Sequence, residues 1–360
     1  MNAGKDLRCL SQFTTFGEPQ PLPSSHSQRH KHLDSLPARP ETHLLGKVAI
    51  VTGAGSRIPP PPSSSSPSRP DAPQTTPELG NGSATALLLA ESGATVLCVD
   101  KDLELAKHTA RFINSSISAT NSPATATARP DPNQPQCEDV STRRGGQALA
   151  VEADVTSPTD CRAIAAYALS AFGRLDILVN VVGIMGAKGT AVDVDPDEWT
   201  IGLDINVTSM MLMAKYAIPA MLTGEHKTEG DSGGEGGGIR GSVVNVGSVA
   251  GLRGGTPHLM YPTSKGAVVN MTRAMAAQHG REGVRVNCVC PGMLYTPMMY
   301  RKGMSDEMRE RRRKRSLLGT EGNVWDCAHA IRFLAGDEAR WITGTVLTVD
   351  AGATASTAVL

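Results

Sequence analysis

Apolar residues in this chain occur mostly in short runs that alternate with longer segments of mixed polarity. The first clear run, KVAIVTG starting at Lys47, is ended by glycine, as expected for a strand buried on both faces of a sheet. Six later runs have the same character: ATVLCVD, QALAVEADV, LDILVNVVG, GSVVNVGS, VRVNCVC and GTVLTVD. The pattern therefore predicts seven buried strands.

Helical segments separate these runs. SATALLLAESG is ended by Gly93, and SPTDCRAIAAYALSAFG carries Ser157 as an N-cap with Pro158 in its first turn. Further helices are predicted in KDLELAKHTARFI, over about Pro196 to Met221, in YPTSKGAVVNMTRAMAAQHG and around VWDCAHAIRFLAG. Strands that alternate with helices predict an α/β fold, a three-layer doubly wound parallel sheet in one domain over residues 44–360.

Low-complexity segments interrupt this pattern. Residues 1–43 are predicted to be disordered, and insertions rich in Ser, Pro or Gly are predicted at 57–79, 114–146 and 224–240. The last two lie between a helix and the following strand, where a surface insertion costs little free energy. The first lies inside a turn.

Composition excludes several functions. The 35 basic residues balance the 35 acidic ones, so neither a nucleic acid nor a membrane is expected as a partner. Seven cysteines lie in apolar stretches without CxxC spacing, which favours reduced thiols and a cytoplasmic protein. A mitochondrial presequence is the weaker alternative, because Asp6, Glu18 and Asp34 interrupt the N-terminal segment.

A dinucleotide site is predicted where the first strand ends. Without residues 57–79, TGAGS joins GNG, which restores a glycine turn (Gly53, Gly55, Ser56, Gly80 and Gly82) between a strand and a helix. The same removal shortens the separation of Gly53 from Asp100 to about 24 residues, near the ~20 typical of a dinucleotide-binding βαβ unit. Glycine allows the backbone to approach the pyrophosphate at the helix N-terminus.

The choice between NAD and NADP depends on Asp100, at the end of the second strand. A carboxylate there accepts hydrogen bonds from the ribose hydroxyls and repels a 2′-phosphate, which favours NAD. Lys101 and Arg57 favour NADP, but less strongly. Asp154 and Val155 end the third strand and are predicted to contact the adenine; Asp154 could instead be a turn or capping residue.

Candidate catalytic residues lie in YPTSK, where Tyr261 and Lys265 are four residues apart and share one face of a helix. A tyrosine with a pKa near 10 is a poor base at neutral pH. A neighbouring ammonium, together with a positive nicotinamide ring, would lower that pKa. Ser248, at the end of the fifth strand, could hydrogen-bond the reacting oxygen.

Together with the motifs ADV, LVNVVG, DINV, VNVGSVAG and CPGMLYT, in this order, the chain resembles the short-chain dehydrogenase/reductase family over residues 46–352. The resemblance implies Tyr261 as general acid/base, Lys265 as its partner and holder of the nicotinamide ribose, and Ser248 as orienter of the substrate oxygen. It implies that Asn206 holds a water of a proton relay. It also implies that Pro291, Gly292 and Thr296 contact the nicotinamide, that no metal is needed, and that the protein is a homodimer or homotetramer.

Two features depart from the family pattern. The family's Asn-Asn-Ala-Gly is here Asn180-Val181-Val182-Gly183; Asn180 and Gly183 match and are predicted to shape the backbone beside the cofactor. The other departure is the segment 57–79. Either it loops out into solvent, or it is a translated intron absent from the working protein.

The predicted function is hydride transfer between a nicotinamide and a small, largely apolar secondary alcohol or ketone. Residues 293–320 correspond to the family's variable substrate lid. Their run RERRRKR is interpreted as a solvated helix face, with an attractor of an anionic substrate or a nuclear-import signal as alternatives. Trp325 and Trp341 are predicted core or subunit-interface residues. The alternative function is a catalytically silent nucleotide-binding protein, disabled by the insertion in its cofactor loop.

Overall fold

The computed structural model describes residues 44–56, 78–120, 146–224, 238–301 and 303–356. The predicted disorder of residues 1–43 and most of the three predicted insertions therefore lie outside the described residues. Arg57 lies outside them as well.

Seven strands form one sheet in the order β3-β2-β1-β4-β5-β6-β7, and every neighbouring pair is parallel. The predicted fold class is confirmed. The chain reverses its direction of strand addition between β1 and β4, which creates a crevice at the carboxyl ends of these strands. The strands are β1 Val48–Thr52, β2 Thr95–Asp100, β3 Gln147–Glu152, β4 Ile177–Asn180, β5 Gly241–Val246, β6 Val284–Pro291 and β7 Val346–Val349.

Helices cover both faces of the sheet. They are α1 Asn81–Glu91, α2 Leu103–Thr120, α3 Pro158–Phe172, α4 Pro196–Leu203, α5 Ser209–Thr223, α6 Met260–His279, α7 Pro297–Tyr300, α8 Asp306–Arg313 and α9 Val324–Ala335. Within β1, Ala49 and Val51 pack into the apolar cluster under α1, α2 and α9, whereas Val48 and Ile50 pack into the one under α3, α5 and α6. This alternation explains why the strand is apolar throughout.

The predicted long helix from Pro196 is interrupted. A π-helical turn, Asp204–Thr208, joins α4 to α5. The combined span Pro196–Thr223 is, among the described residues, the one helix long and apolar enough to cross a membrane, although 56% of its most apolar window is buried inside the protein. Met213 and Met221 are fully buried against the sheet, so the apolar character of this span serves the core.

The end residues of two predicted insertions belong to the folded chain. Helix α2 continues to Thr120, and the side chain of Asn114 bonds both the N–H and the carbonyl of Ala148 on β3. Leu79 packs on Ala84 and α9, and Glu78 forms an ion pair with Arg301. Burial and hydrogen bonding keep these end residues in the fold, despite the composition of the segments that they flank.

Candidate active site

The glycine turn after β1 brings three elements together. Gly53 adopts a φ of +65°, in the left-handed region that glycine tolerates best. The N–H of Gly55 donates to Oδ2 of Asp100, at the end of β2, over 2.9 Å. A Cβ on Gly82, in the first turn of α1, would lie 2.1 Å from the carbonyl oxygen of Gly53. The end of β1 and the start of α1 therefore touch, as the predicted turn requires.

A cleft of about 540 Å³ opens beside this turn. It is lined by Gly53, Gly55, Gly80, Gly82, Asp100, Asp154, Val155 and Gly183, among others. Helix α1 begins at Asn81 on the wall of the cleft, and the buried Oδ1 of Asn81 has no hydrogen-bond partner within the described ranges. A glycine turn, a helix N-terminus and an unsatisfied amide oxygen fit a dinucleotide, whose pyrophosphate such a helix end favours.

Two predicted cofactor residues, Ser56 and Asn180, form hydrogen bonds outside the cleft. The hydroxyl of Ser56 lies 2.8 Å from that of Thr109 on α2 and is buried there. The amide of Asn180 donates to Oδ1 of Asn245 on β5 over 2.9 Å, within the sheet. Neither side chain lines the cleft. Cofactor contact by Ser56, and the shaping of the backbone beside the cofactor by Asn180, stay predictions. The two side chains hold the glycine turn and the end of β4 in place.

The two aspartates of the cleft are anchored differently. Asp100 accepts a hydrogen bond from the glycine turn, whereas Asp154 accepts from the N–H and hydroxyl of Thr156. The bonds from Thr156 lower the pKa of Asp154. Asp154 therefore shapes a turn, as the alternative interpretation had it, and also lines the cleft together with Val155; their contact with the adenine stays a prediction.

The predicted catalytic residues converge on the end of β5. Ser248 follows this strand, and Tyr261 and Lys265 lie in the first two turns of α6. Nζ of Lys265 donates to the carbonyl of Val246 over 2.8 Å and lies 5.9 Å from the centre of the Tyr261 ring. Lys265 is only 4% exposed, and a Cβ on Gly183 would lie 3.2 Å from its Nζ. Because Gly183 has no side chain, it leaves room for the ammonium of Lys265.

Burial has the largest effect on the pKa values of Tyr261 and Lys265. Burial raises the pKa of Tyr261, while a hydrogen bond with Ser248 acts in the opposite direction. Burial also lowers the pKa of Lys265 to about 8. In the chain without a bound cofactor, desolvation outweighs the hydrogen bond with Ser248, so the pKa of Tyr261 is raised. The predicted lowering, which depended on Lys265 together with a positive nicotinamide ring, stays a prediction.

Asn206 lies in the π-helical turn, and such turns occur often at functional sites. Its amide oxygen accepts from the N–H of Ile184, and its amide nitrogen donates to the carbonyl of Ile184 and to the hydroxyl of Ser264 on α6. Asn206 thus ties the loop after β4 to the helix that carries Tyr261 and Lys265. Sequence reasoning missed Ser264, which lies inside the YPTSK motif.

The loop after β6 closes the other side of the site. Pro291 ends the strand, and a Cβ on Gly292 would lie 2.6 Å from Cβ of Asp350. Thr296 is buried at the start of α7. All three predicted nicotinamide contacts line a cavity of about 650 Å³ that also contains Ser248, Tyr261 and Lys265.

This cavity and the cleft form one continuous site. They share the lining residues Asn81, Val181, Gly183, Thr296 and Met298. Asn81 and Val181 were missed at the sequence level. The position of Asn81 between the two glycines of GNG could have indicated its place in the site. Val181 was named only as a departure from the Asn-Asn-Ala-Gly pattern of the family.

Comparisons with known proteins agree with this geometry. The sequence profile of the family described as Enoyl-(Acyl carrier protein) reductase matches residues 124–354. 2-(S)-hydroxypropyl-CoM dehydrogenase 3 of Xanthobacter autotrophicus is 34% identical over 280 residues, covering 77% of this chain and 93% of that protein. Meso-2,3-butanediol dehydrogenase of Serratia marcescens is 35% identical over 211 residues, covering 59% of this chain and 77% of that protein.

A solved structure described as a short-chain dehydrogenase/reductase from Burkholderia xenovorans aligns with a TM-score of 0.65 and 32% identity, covering 87% of this chain and 98% of that chain. The fold, the profile match and these relatives lead to one conclusion. The chain belongs to the short-chain dehydrogenase/reductase family and is an oxidoreductase that acts on a CH–OH group of a small molecule.

Proposed function

We propose that this protein is an NAD-dependent dehydrogenase of a small secondary alcohol, or reductase of the corresponding ketone, with Tyr261 as the general acid/base. The observation that carries the proposal is that Ser248, Tyr261 and Lys265 line a cavity continuous with the glycine-lined cleft. The bound nicotinamide would supply or accept the hydride, and the residues of this chain manage the proton.

The proton step belongs to the phenol of Tyr261. In ketone reduction its O–H donates a proton to the carbonyl oxygen, and in alcohol oxidation the phenolate accepts the proton of the hydroxyl. The side-chain hydrogen bond between Ser248 and Tyr261 supports a role for Ser248 in orienting the same substrate oxygen. The raised pKa of Tyr261 favours the protonated acid that reduction needs.

Lys265 acts beside this phenol. Its hydrogen bond to Val246 leaves N–H groups of the ammonium for the ribose hydroxyls of a bound nicotinamide nucleotide. Asn206 fixes the backbone of Ile184 next to it. We assign to Asn206 the ordering of a water that carries protons from this pair to solvent.

Asp100 supports NAD as the cofactor. Its carboxylate is held by the Gly55 N–H at the cleft, where it would repel a 2′-phosphate. Lys101 also lines the cleft and acts in the opposite direction, but without a position fixed by the glycine turn. Comparing kcat/KM with NADH and NADPH on one ketone measures the outcome; a preference for NADPH would contradict the choice.

The experiment that tests the proposal is Tyr261→Phe, assayed on secondary and cyclic alcohols with NAD. We expect kcat to fall by about 10²–10⁴-fold, the usual contribution of general acid–base catalysis, while NADH binding followed by fluorescence is unchanged. A loss below about tenfold would remove Tyr261 from the acid/base role.

The same titration separates the enzyme from a silent nucleotide-binding protein. The proposal expects saturable NADH binding by the full-length chain. The silent alternative expects no binding until residues 57–77 are deleted. Glu78 and Leu79 are kept in that variant because they pack on the folded chain.

A further inference from the structure

The cavity that contains Tyr261 has an uneven charge distribution. Besides Lys265, four cationic side chains line it: Arg253, Arg312, Lys314 and Arg315. Within the parts of the chain that the structure describes, no Asp or Glu lines this cavity. An excess of one charge in a concave site concentrates ligands of the opposite charge.

Two of these four cations pair with carboxylates, and each carboxylate is shared with a further arginine: Glu321, the partner of Arg312, also pairs with Arg309. Arg312 bonds the carboxylate of Glu321 and the carbonyl of Leu294. Lys314 lies 3.9 Å from Glu310, a carboxylate that also pairs with Arg313.

Arg253 and Arg315 have no carboxylate partner among the described residues. Arg253 donates to the backbone carbonyl of Ala353, a neutral acceptor. Arg315 has no ion-pair partner among the described residues, and its side chain is exposed at the wall of the cavity. Arg guanidinium groups present a planar fork of donors that matches carboxylates and phosphates.

The cavity wall also carries apolar side chains. They include Met185, Met293, Met298, Met299 and Leu317. Flexible methionines accommodate an aliphatic body of varied shape. The cavity thus combines apolar side chains, cationic side chains and the hydroxyl of Tyr261 in one lining.

We propose that the substrate is an alcohol or ketone with an aliphatic body and an acidic group at its far end, held by Arg253 and Arg315. The acidic group is a carboxylate or a phosphate. This inference rests on the proposed function and narrows its substrate class from small, largely apolar alcohols to amphiphilic acids.

The first test measures binding, without turnover. Hexanoate and hexyl phosphate are titrated into the NADH-bound protein by calorimetry, with hexanamide as the neutral probe. We expect at least one anion to bind about tenfold more tightly than hexanamide, and less tightly as salt is raised. The tighter anion identifies the acidic group; if neither binds more tightly than hexanamide, the inference is wrong.

Variants assign the effect to the cavity. Arg315→Gln should remove about tenfold of the anion affinity, whereas Arg311→Gln, on the same basic run but outside the cavity lining, should leave it unchanged. NADH affinity should be the same in both variants. Equal effects of the two changes, or weaker NADH binding in Arg315→Gln, would overturn the assignment.

A turnover experiment keeps the two proposals distinguishable. With NADH, 6-oxoheptanoate should be reduced with a kcat/KM about tenfold above that of its methyl ester, and Arg315→Gln should abolish this preference. If both ketones are reduced equally, the acidic-substrate inference fails while the dehydrogenase stands. If anions bind selectively and no ketone is reduced, the proposed function fails while the anion site stands.

Discussion

At the scale of single residues, the buried ammonium of Lys265 is an unfavourable feature of the site for stability. The residue is 4% exposed, and within the described parts of the chain its Nζ donates one hydrogen bond, to the carbonyl of Val246. Burial lowers its pKa from 10.5 to about 8. Between these two pH values the unfolded chain binds more protons than the folded one, so the free energy of unfolding rises with pH across that window. The charged lysine is kept at a cost in stability, as is common at functional sites.

Lys265→Met is therefore expected to stabilise the protein while abolishing activity. Each pKa unit corresponds to about 1.4 kcal/mol, so the free energy of unfolding should increase by up to about 3 kcal/mol below pH 8, and the difference should vanish near pH 10.5. Urea unfolding at several pH values measures it. Lys215→Met, at an exposed position of α5, is the matched control and should change little. A destabilised Lys265→Met at pH 7 would contradict this account.

At the scale of elements, the contact between the β1 turn and helix α1 decides whether the cofactor cleft exists. Gly53 and Gly82 touch although the chain between them includes residues 57–77. The predicted motif, obtained by removing 57–79, therefore corresponds to a real packing contact. Peptide mapping of the natural protein decides whether that segment is present in the working protein.

Gly82→Ala is expected to break this contact. The added Cβ would lie 2.1 Å from the Gly53 carbonyl oxygen, a backbone atom that no change of side-chain rotamer can move away. Overpacking of this kind costs about 1–3 kcal/mol, and the separation of the two elements should weaken NADH binding by about tenfold or more.

Thermal unfolding and NADH titration measure the two effects. Gly80→Ala is the control for stability, because its Cβ would meet nothing within 4 Å and its backbone is extended. If Gly82→Ala were as stable as Gly80→Ala, the tight packing of turn and helix would not matter.

At the scale of the whole molecule, a tryptophan is exposed near one edge of the sheet. Strand β7 is the last in the order and pairs with β6 alone. Trp341, shortly before this strand, is 92% exposed, whereas Trp325 packs against the core as predicted. An exposed tryptophan near a sheet edge is a costly surface for a lone chain, and it supports the expectation of a homodimer or homotetramer.

Trp341→Ser should therefore shift the protein toward smaller species in size-exclusion chromatography with light scattering, since aromatic residues often dominate interface energies. Val192→Ser, which changes another side chain of 92% exposure, should leave the assembly unchanged. A monomeric natural protein, or identical assembly of both variants, would rule out Trp341 as an interface anchor.

The sequence by itself determined the parallel sheet, the glycine turn and the residues of the catalytic group. These depend on local information: apolar periodicity, glycine spacing and the four-residue interval of Tyr261 and Lys265. Tertiary structure alone decided the features that depend on distant contacts. These features are the hydrogen-bond partners of Ser56 and Asn180, the raised pKa of Tyr261 and the cationic lining of the cavity. Each arises from residues far apart in the chain. Desolvation and charge accumulate only when such residues are packed together, so no local pattern predicts them.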